Sequence, residues 1–242
     1  MSAKLKIDLV IPIFNEVESI TQTYQDVCAV IDSLPHDFRF IYVDDGSNDG
    51  TVDTLRNILV NDPRLTLLQL SRNFGHQAAL TAGMDASQGD VMISMDGDGQ
   101  HPPAEIPHLL QHMDRYDMVV GARSAGSQAR WHRTIANRLF NAYASYIVGH
   151  PVPDLTSGFR AIRASIARSF LYLLPNGFSY PTTLTICLFR AGYAVKYHPF
   201  ASPARTGASK IRPLRDGLRF LLTLTRCLRQ FEAFQARRAG IR

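Results

Sequence analysis

Cysteine is scarce: the 242 residues contain three, Cys28, Cys187 and Cys227, and they lie far apart. An odd, scattered trio builds neither a disulfide framework nor a zinc-ligand spacing, so buried thiols in a reducing compartment are the expectation. No run approaches the ~20 consecutive apolar residues that a membrane-spanning helix needs. Internal repeats, low-complexity tracts and linkers are also missing, which points to one domain. Charged residues make up only 19% of the chain against 45% hydrophobic, a composition that excludes a disordered polyelectrolyte. The early apolar run Ile7-Asp8-Leu9-Val10-Ile11-Pro12 is short and β-branched, and Asn15-Glu16 follow at once. It reads as a first strand rather than a signal peptide.

The charge that is present is unbalanced. Lys and Arg number 26 against 21 Asp and Glu, a formal net charge of +5 with a pI near 9.3. A basic balance suits anionic partners: nucleotides, phospholipid heads or nucleic acid. Nucleic acid fits poorly, because the basic residues interleave with no aromatic stacking platform.

Hydrophobic periodicity predicts strands over residues 6–13, 38–43, 65–70, 90–95 and 118–120. Between them it predicts helices over 16–31, 51–59 and 77–86, and a helix opened by Pro102-Pro103, where a missing N–H costs nothing. Asp49 is a candidate cap for the second helix. The C-terminal half reads as more helical, over 134–148, 161–173 and 182–191, with a late strand at 193–197 and a polar, basic loop at 202–211. Alternating strand and helix implies an α/β fold with a mainly parallel sheet covered on both faces. Ligands of such sheets bind beyond the carboxyl ends of the strands.

Two acidic clusters fall at such ends. Asp96-Gly97-Asp98-Gly99-Gln100 puts two carboxylates and an amide within five residues. Alternate residues of an extended segment point the same way, and glycines let the backbone bend close to a ligand. Hard oxygen donors at this density suit Mg²⁺ or Mn²⁺; a solvated acidic turn is the competing reading. Asp44-Asp45-Gly46-Ser47 is the second cluster, able to accept hydrogen bonds from a ribose hydroxyl or a base N–H, or simply to form a polar turn. His76, His101 and His132 lie near these motifs without metal-ligand spacing and read as polar surface or turn packing.

An ordered series of motifs carries a resemblance. Val10-Ile11-Pro12-Ile13-Phe14-Asn15-Glu16, the stretch from Val43 to Thr51, and Asp96 to Pro103 are followed by Gly121-Ala122-Arg123, the stretch from Asp154 to Arg160, and Arg205 to Lys210. Together they resemble the family-2 glycosyltransferases of GT-A (Rossmann-like) fold, in the dolichyl-phosphate mannosyltransferase and polyprenyl-phosphate glycosyltransferase branch. The resemblance implies an inverting, metal-dependent enzyme that moves a sugar from a UDP- or GDP-sugar to a polyprenyl phosphate. By the same resemblance Pro12, Phe14 and Glu16 line the nucleotide pocket. Asp45 contacts base or ribose, with Asp44 more structural. Asp96 and Gly97 sit against the ribose and sugar side, and Asp98 and Gln100 hold Mg²⁺ or Mn²⁺, with Asp96 a further candidate ligand. Arg123 and Arg133 face the acceptor or donor phosphate, and Arg205 and Lys210 lie on a loop that closes over the diphosphate. Ser71 to His76 resembles a family segment without an assigned role. Phe14 and Gly99 are small departures from the pattern.

A lipid phosphate is already ionised at neutral pH and needs no strong base; a sugar hydroxyl does. Asp154 is the best carboxylate for an acceptor-side base, though a turn cap for Ser157-Gly158 is an equal reading. A hydroxyl acceptor stays open, as does a non-catalytic nucleotide or lipid binder, against which the intact motif set argues. Residues 1–210 read as the catalytic domain and 211–242 as a basic amphipathic helix and tail. At about 100° per residue, Leu214, Leu218, Leu221, Leu224, Leu228 and Phe231 share one face, and Arg215, Arg219, Arg226 and Arg229 another. That pattern suits a helix in a membrane interface, or one packed on the core, on a second copy in a homo-oligomer or on a membrane-embedded partner. The expected location is the cytoplasm, peripheral on the cytoplasmic face of the membrane.

Overall fold

The computed structural model describes residues 4–124, 131–174 and 180–201, together with 229, 231 and 232; for 131–137 it describes backbone only. Seven strands form one sheet in the order β3-β2-β1-β4-β6-β5-β7. They are β1 (Lys6–Ile13), β2 (Asp37–Asp44), β3 (Leu65–Gln69), β4 (Val91–Ser94), β5 (Met118–Arg123), β6 (Arg160–Arg163) and β7 (Val195–Phe200). The helices are α1 (Ile20–Ile31), α2 (Thr51–Asn61), α3 (His76–Ala86), α4 (Ile106–Leu110), α5 (Trp131–Val148), α6 (Ala164–Ser169) and α7 (Tyr180–Arg190). Among the described residues no helix is long and apolar enough to cross a membrane.

Both faces of the sheet are covered, so its central strands are apolar almost throughout and successive residues enter different cores. On β1, Ile7, Leu9, Ile11 and Ile13 enter one hydrophobic cluster while Val10 enters the other. Helix α3 comes so close to the sheet that a Cβ on Gly83 would collide with the Val10 side chain. β1 pairs in parallel with β2 on one side and β4 on the other, so the chain crosses over β1 between β3 and β4. The crevice at that reversal, beyond the strand carboxyl ends, is where such sheets take ligands.

One predicted element is corrected. Residues 161–173 form no continuous helix: Arg160–Arg163 is strand β6, antiparallel to both β4 and β5, before short α6 and a 3₁₀ turn. Four residues carry too little periodicity to separate a strand from a first helical turn, and the two flanking strands decide it. The first helix also starts a turn late, because the N–H groups of Ser19 and Ile20 close onto the Glu16 carbonyl. Asp49 does support the start of α2, but from one residue outside the cap position: its carboxylate accepts the Thr51 N–H at 3.0 Å, and Gly50 is the N-cap.

Candidate active site

The loops after β1 and β2 are stitched into one wall. Asn15 adopts φ +56°, a left-handed conformation that asparagine tolerates. Its N–H donates to Ser47 Oγ at 2.9 Å, and its Oδ1 accepts the Asn48 N–H at 2.9 Å. Glu16 N–H donates to Thr51 Oγ1, and Val17 N–H to Asp49 Oδ2. Pro12 is buried beneath this wall and Phe14 projects from it, 42% exposed.

The two aspartates after β2 hold loops. Asp44 accepts the Ser47 N–H at 3.1 Å and closes its own turn. Asp45, only 2% exposed, accepts the N–H groups of Phe74 and Gly75 at 2.7 and 2.9 Å. The backbone of Arg72 and Asn73 presses so closely on Gly46 that a Cβ there would lie 2.7 Å from Arg72 carbonyl carbon. Asp45 therefore fixes the Ser71 to His76 segment, a job that the sequence did not suggest for either.

That segment delivers His76 to Asp96. His76 Nε2 lies 2.9 Å from Asp96 Oδ1. From the other side His101, buried and stacked on Phe159 with ring centroids 5.0 Å apart, accepts the Asp96 N–H at its Nδ1 at 2.8 Å. The His101 Nε2 stands 3.7 Å from Asp96 Oδ2. Burial alone would raise the Asp96 carboxyl; His101, His76 and Arg123 outweigh it and hold the group below the usual carboxylate range. Burial likewise opposes a charge on His76, but its hydrogen bond to Asp96 and the charges of Asp96, Asp98 and Asp45 raise it. For His101 burial wins and its pKa falls. The half-exposed His76 and the turn-packed His101 fit the reading of surface and turn residues, and both in addition touch the Asp96 carboxylate, while the His132 side chain lies outside the described residues.

Gly97 packs on the end of β1, where a Cβ would lie 2.9 Å from Ile13 Cγ2. Beyond it Asp98 is exposed; the Gln100 N–H donates to its Oδ1 at 3.1 Å and the Gln100 amide to its Oδ2 at 2.7 Å. Among the described residues no three His, Cys, Asp or Glu side chains form a metal cage. Asp98 and the amide of Gln100, whose oxygen is a rotation away, instead offer a partial set of hard donors. Such a set fits a cation that completes its shell with water and phosphate. Glu16 is raised by burial first and then by the negative charges of Asp98, Asp49 and Asp96, so the crevice concentrates a field that a cation would relieve.

Across the crevice Arg123, at the end of β5, grips Asp154. Its Nε donates to Oδ2 at 2.8 Å, one guanidinium nitrogen donates to Oδ1 at 3.0 Å, and the same nitrogen reaches Thr156 Oγ1 at 2.9 Å. Burial pushes the Asp154 carboxyl up, but Arg123 and two backbone N–H groups carry it below its ordinary value. A carboxylate so held is a weak base, which argues against the acceptor-side base reading. The loop bearing Asp154 is fixed from below by Arg160. That side chain is fully buried and donates to the carbonyls of Ser157 and Leu155 and to Thr185 Oγ1. Its role is invisible in the sequence, because its partners are backbone oxygens and a hydroxyl on α7. Arg133 lies on α5 with its side chain outside the described residues. Arg205, Lys210, the 210/211 boundary and most of the predicted C-terminal helix also lie outside them. Of that helix Arg229 is exposed, whereas Phe231 is 1% exposed and belongs to the core.

The sequence is 33% identical over 167 residues to an undecaprenyl-phosphate 4-deoxy-4-formamido-L-arabinose transferase of Edwardsiella ictaluri, covering 69% of this chain and 51% of that one. It is 35% identical over 167 residues to a dodecaprenyl-phosphate galacturonate synthase of Rhizobium johnstonii, covering 68% and 49%. The chain spans about half the length of these curated relatives. In fold it is similar to crystalline glucosyl-3-phosphoglycerate synthase of Mycobacterium tuberculosis in complex with Mn²⁺, uridine diphosphate and phosphoglyceric acid. The TM-score is 0.68 and the identity 22%, over 92% of this chain and 78% of that one. The description "Glycosyl transferase family 2" matches residues 8–171, and the chain belongs to that family.

Proposed function

We propose that this chain is an inverting glycosyltransferase that moves a sugar from a nucleotide diphosphate to a polyprenyl phosphate. The observation that carries the reading is the crevice at the sheet reversal. Asp96, Asp98 and Glu16 gather negative charge on one side of it, and Arg123, paired to Asp154, stands on the other. The likeness to undecaprenyl- and dodecaprenyl-phosphate sugar transferases supports the acceptor class.

The chemistry asks mainly for position and charge. A phosphate oxygen of the acceptor attacks the anomeric carbon, the bond to the diphosphate breaks, and the configuration inverts. The acceptor phosphate arrives ionised, and so the engaged state of Asp154 favours it over a hydroxyl, which would need a base. Asp98 and Gln100 would hold a divalent cation, with Asp96 beside them. When bound, that ion neutralises charge on the leaving diphosphate. The wall carrying Phe14 and Glu16 takes the nucleotide. Asp45 supports it by placing Ser71 to His76, and His76 with His101 fixes the direction of the Asp96 carboxylate. Arg133, Arg205 and Lys210 complete the cationic side in this reading.

The test is a panel of UDP- and GDP-sugars with polyprenyl phosphate and Mg²⁺ or Mn²⁺, read by mass spectrometry of the lipid. A glycosyl polyprenyl phosphate is expected from at least one donor. Donor consumption that yields only a glycosylated hydroxyl compound, or no glycolipid from any donor, overturns it.

A further inference from the structure

The lipid acceptor of the reading above lives in a membrane, and Phe231, on the face that periodicity suited to a membrane interface or to core packing, is buried in the core. Among the described residues, α5 carries a stripe of exposed apolar side chains. Leu139, Tyr143 and Tyr146 are 66%, 45% and 85% exposed. Spacings of four and three residues put them on one face of the helix. Ala142, between them, is exposed as well.

Over its described side chains the opposite face of α5 packs inward. Ala144 is buried, and Phe140, Ile147 and Val148 pack on the core cluster. Asn141 donates its amide N–H to the Pro153 carbonyl at 2.5 Å and accepts the Leu155 N–H at 3.1 Å. Ser145 Oγ accepts the Val152 N–H at 2.9 Å. Helix α5 is therefore bolted to residues 152–155, whose Asp154 grips Arg123. The exposed stripe is held in fixed relation to the phosphate side of the crevice.

Charge selects the occupant. The 18 residues of α5 contain no aspartate or glutamate, while Arg133 and Arg138 lie on it, and Arg138 is exposed beside Leu139. Two copies facing each other through this stripe would juxtapose like charges. A bilayer with anionic heads offers the complement: tyrosine rings sit with an apolar body and a polar tip at the headgroup level, and arginine pairs with phosphate. We propose that the outer face of α5, centred on Leu139, Tyr143 and Tyr146, seats the protein on an anionic bilayer and so presents the crevice to a membrane-held acceptor. This rests on the lipid-acceptor reading.

The test is flotation with phosphatidylcholine vesicles containing about one-third phosphatidylglycerol, an anionic surface. Wild type is expected to float, less so at high salt. The variant Leu139→Ser/Tyr143→Ser/Tyr146→Ser should lose about tenfold of its vesicle-bound fraction. Transfer to long-chain polyprenyl phosphate embedded in those vesicles should fall in parallel. Its melting curve and its transfer to a water-dispersed short-chain acceptor should match wild type. Wild type remaining at the bottom, or the variant floating like wild type, overturns the proposal. So does unchanged flotation with loss of a self-association that sedimentation detects in wild type, which would make the stripe a contact between copies. If neither acceptor is glycosylated by wild type, the catalytic reading fails, and flotation still decides the surface by itself.

Discussion

The two halves of the sheet build their share of the crevice by different means. In the half formed by β1 to β4, side chains at the strand ends mostly hold the backbone of neighbouring loops: Asp44 its own turn, Asp45 the Phe74 and Gly75 amides, Asp49 the start of α2. In the half formed by β5 to β7 the work falls to charged side chains that are partly or wholly buried. Arg123 pairs with Asp154, and Arg160 supports the same loop with no carboxylate in contact among the described residues. The first arrangement leaves Asp98 exposed. The second commits its charges to each other and presents a fixed guanidinium. Stability and catalysis are thus separable in the first half and tied together in the second.

Asp98→Asn offers the sharpest break. Removing the ligand charge without changing size should lower turnover by about 10³-fold, since such electrostatic contributions are worth several kcal/mol. Its urea midpoint should match wild type, because the side chain is exposed. Near-normal turnover at saturating donor would remove Asp98 from the cation site.

Asp154→Asn should behave oppositely and lose stability first. Leaving Arg123 without its carboxylate in a largely buried site should cost roughly 3 kcal/mol of unfolding free energy in urea. The double variant Arg123→Met/Asp154→Leu should recover much of that loss without recovering transfer. Full stability in Asp154→Asn would mean that the pair is ornamental and the contrast between the halves is wrong.

His76→Ala probes the seam between the two. The imidazole is half exposed, so stability should hold, while a freer Asp96 carboxylate should lower the turnover number by about tenfold with little change in KM. His101→Ala, at a buried stacked ring, should instead destabilise by roughly 2 kcal/mol. Equal behaviour of the two variants would deny them separate roles.

The smallest effect belongs to an ion pair remote from the chemistry. Asp62 is held by Arg64 at 2.8 Å and accepts the Tyr24 hydroxyl at 2.6 Å. The Arg64 hydrogen bond is the main cause that lowers its pKa from 3.8 to about 2. A depressed carboxylate stabilises the fold above its unfolded pKa, and the contribution fades as pH falls from about 4 to about 2. With Arg64 about a third exposed, solvent screening leaves roughly 1 kcal/mol. Asp62→Asn should flatten that part of the stability curve and leave transfer at neutral pH unchanged.

Much of the first half was legible in the sequence. Short apolar runs ending in Asp44-Asp45 and Asp96-Gly97-Asp98 announce a parallel sheet with acidic strand ends, and each signal is contained in a few adjacent residues. The ordered motifs from Val10 to Lys210 likewise pointed to family 2, which the match over residues 8–171 shows. Tertiary structure alone decided that Arg160–Arg163 is an antiparallel strand, since hydrogen bonds to β4 and β5 outweigh what four residues prefer. It alone brought His76 and His101 to opposite sides of Asp96, through one loop fixed by Asp45 and one ring stacked on Phe159. It also turned Phe231 inward and left Leu139, Tyr143 and Tyr146 outward. Periodicity states which residues share a helix face but not what that face meets, because burial is settled by the elements that pack against it.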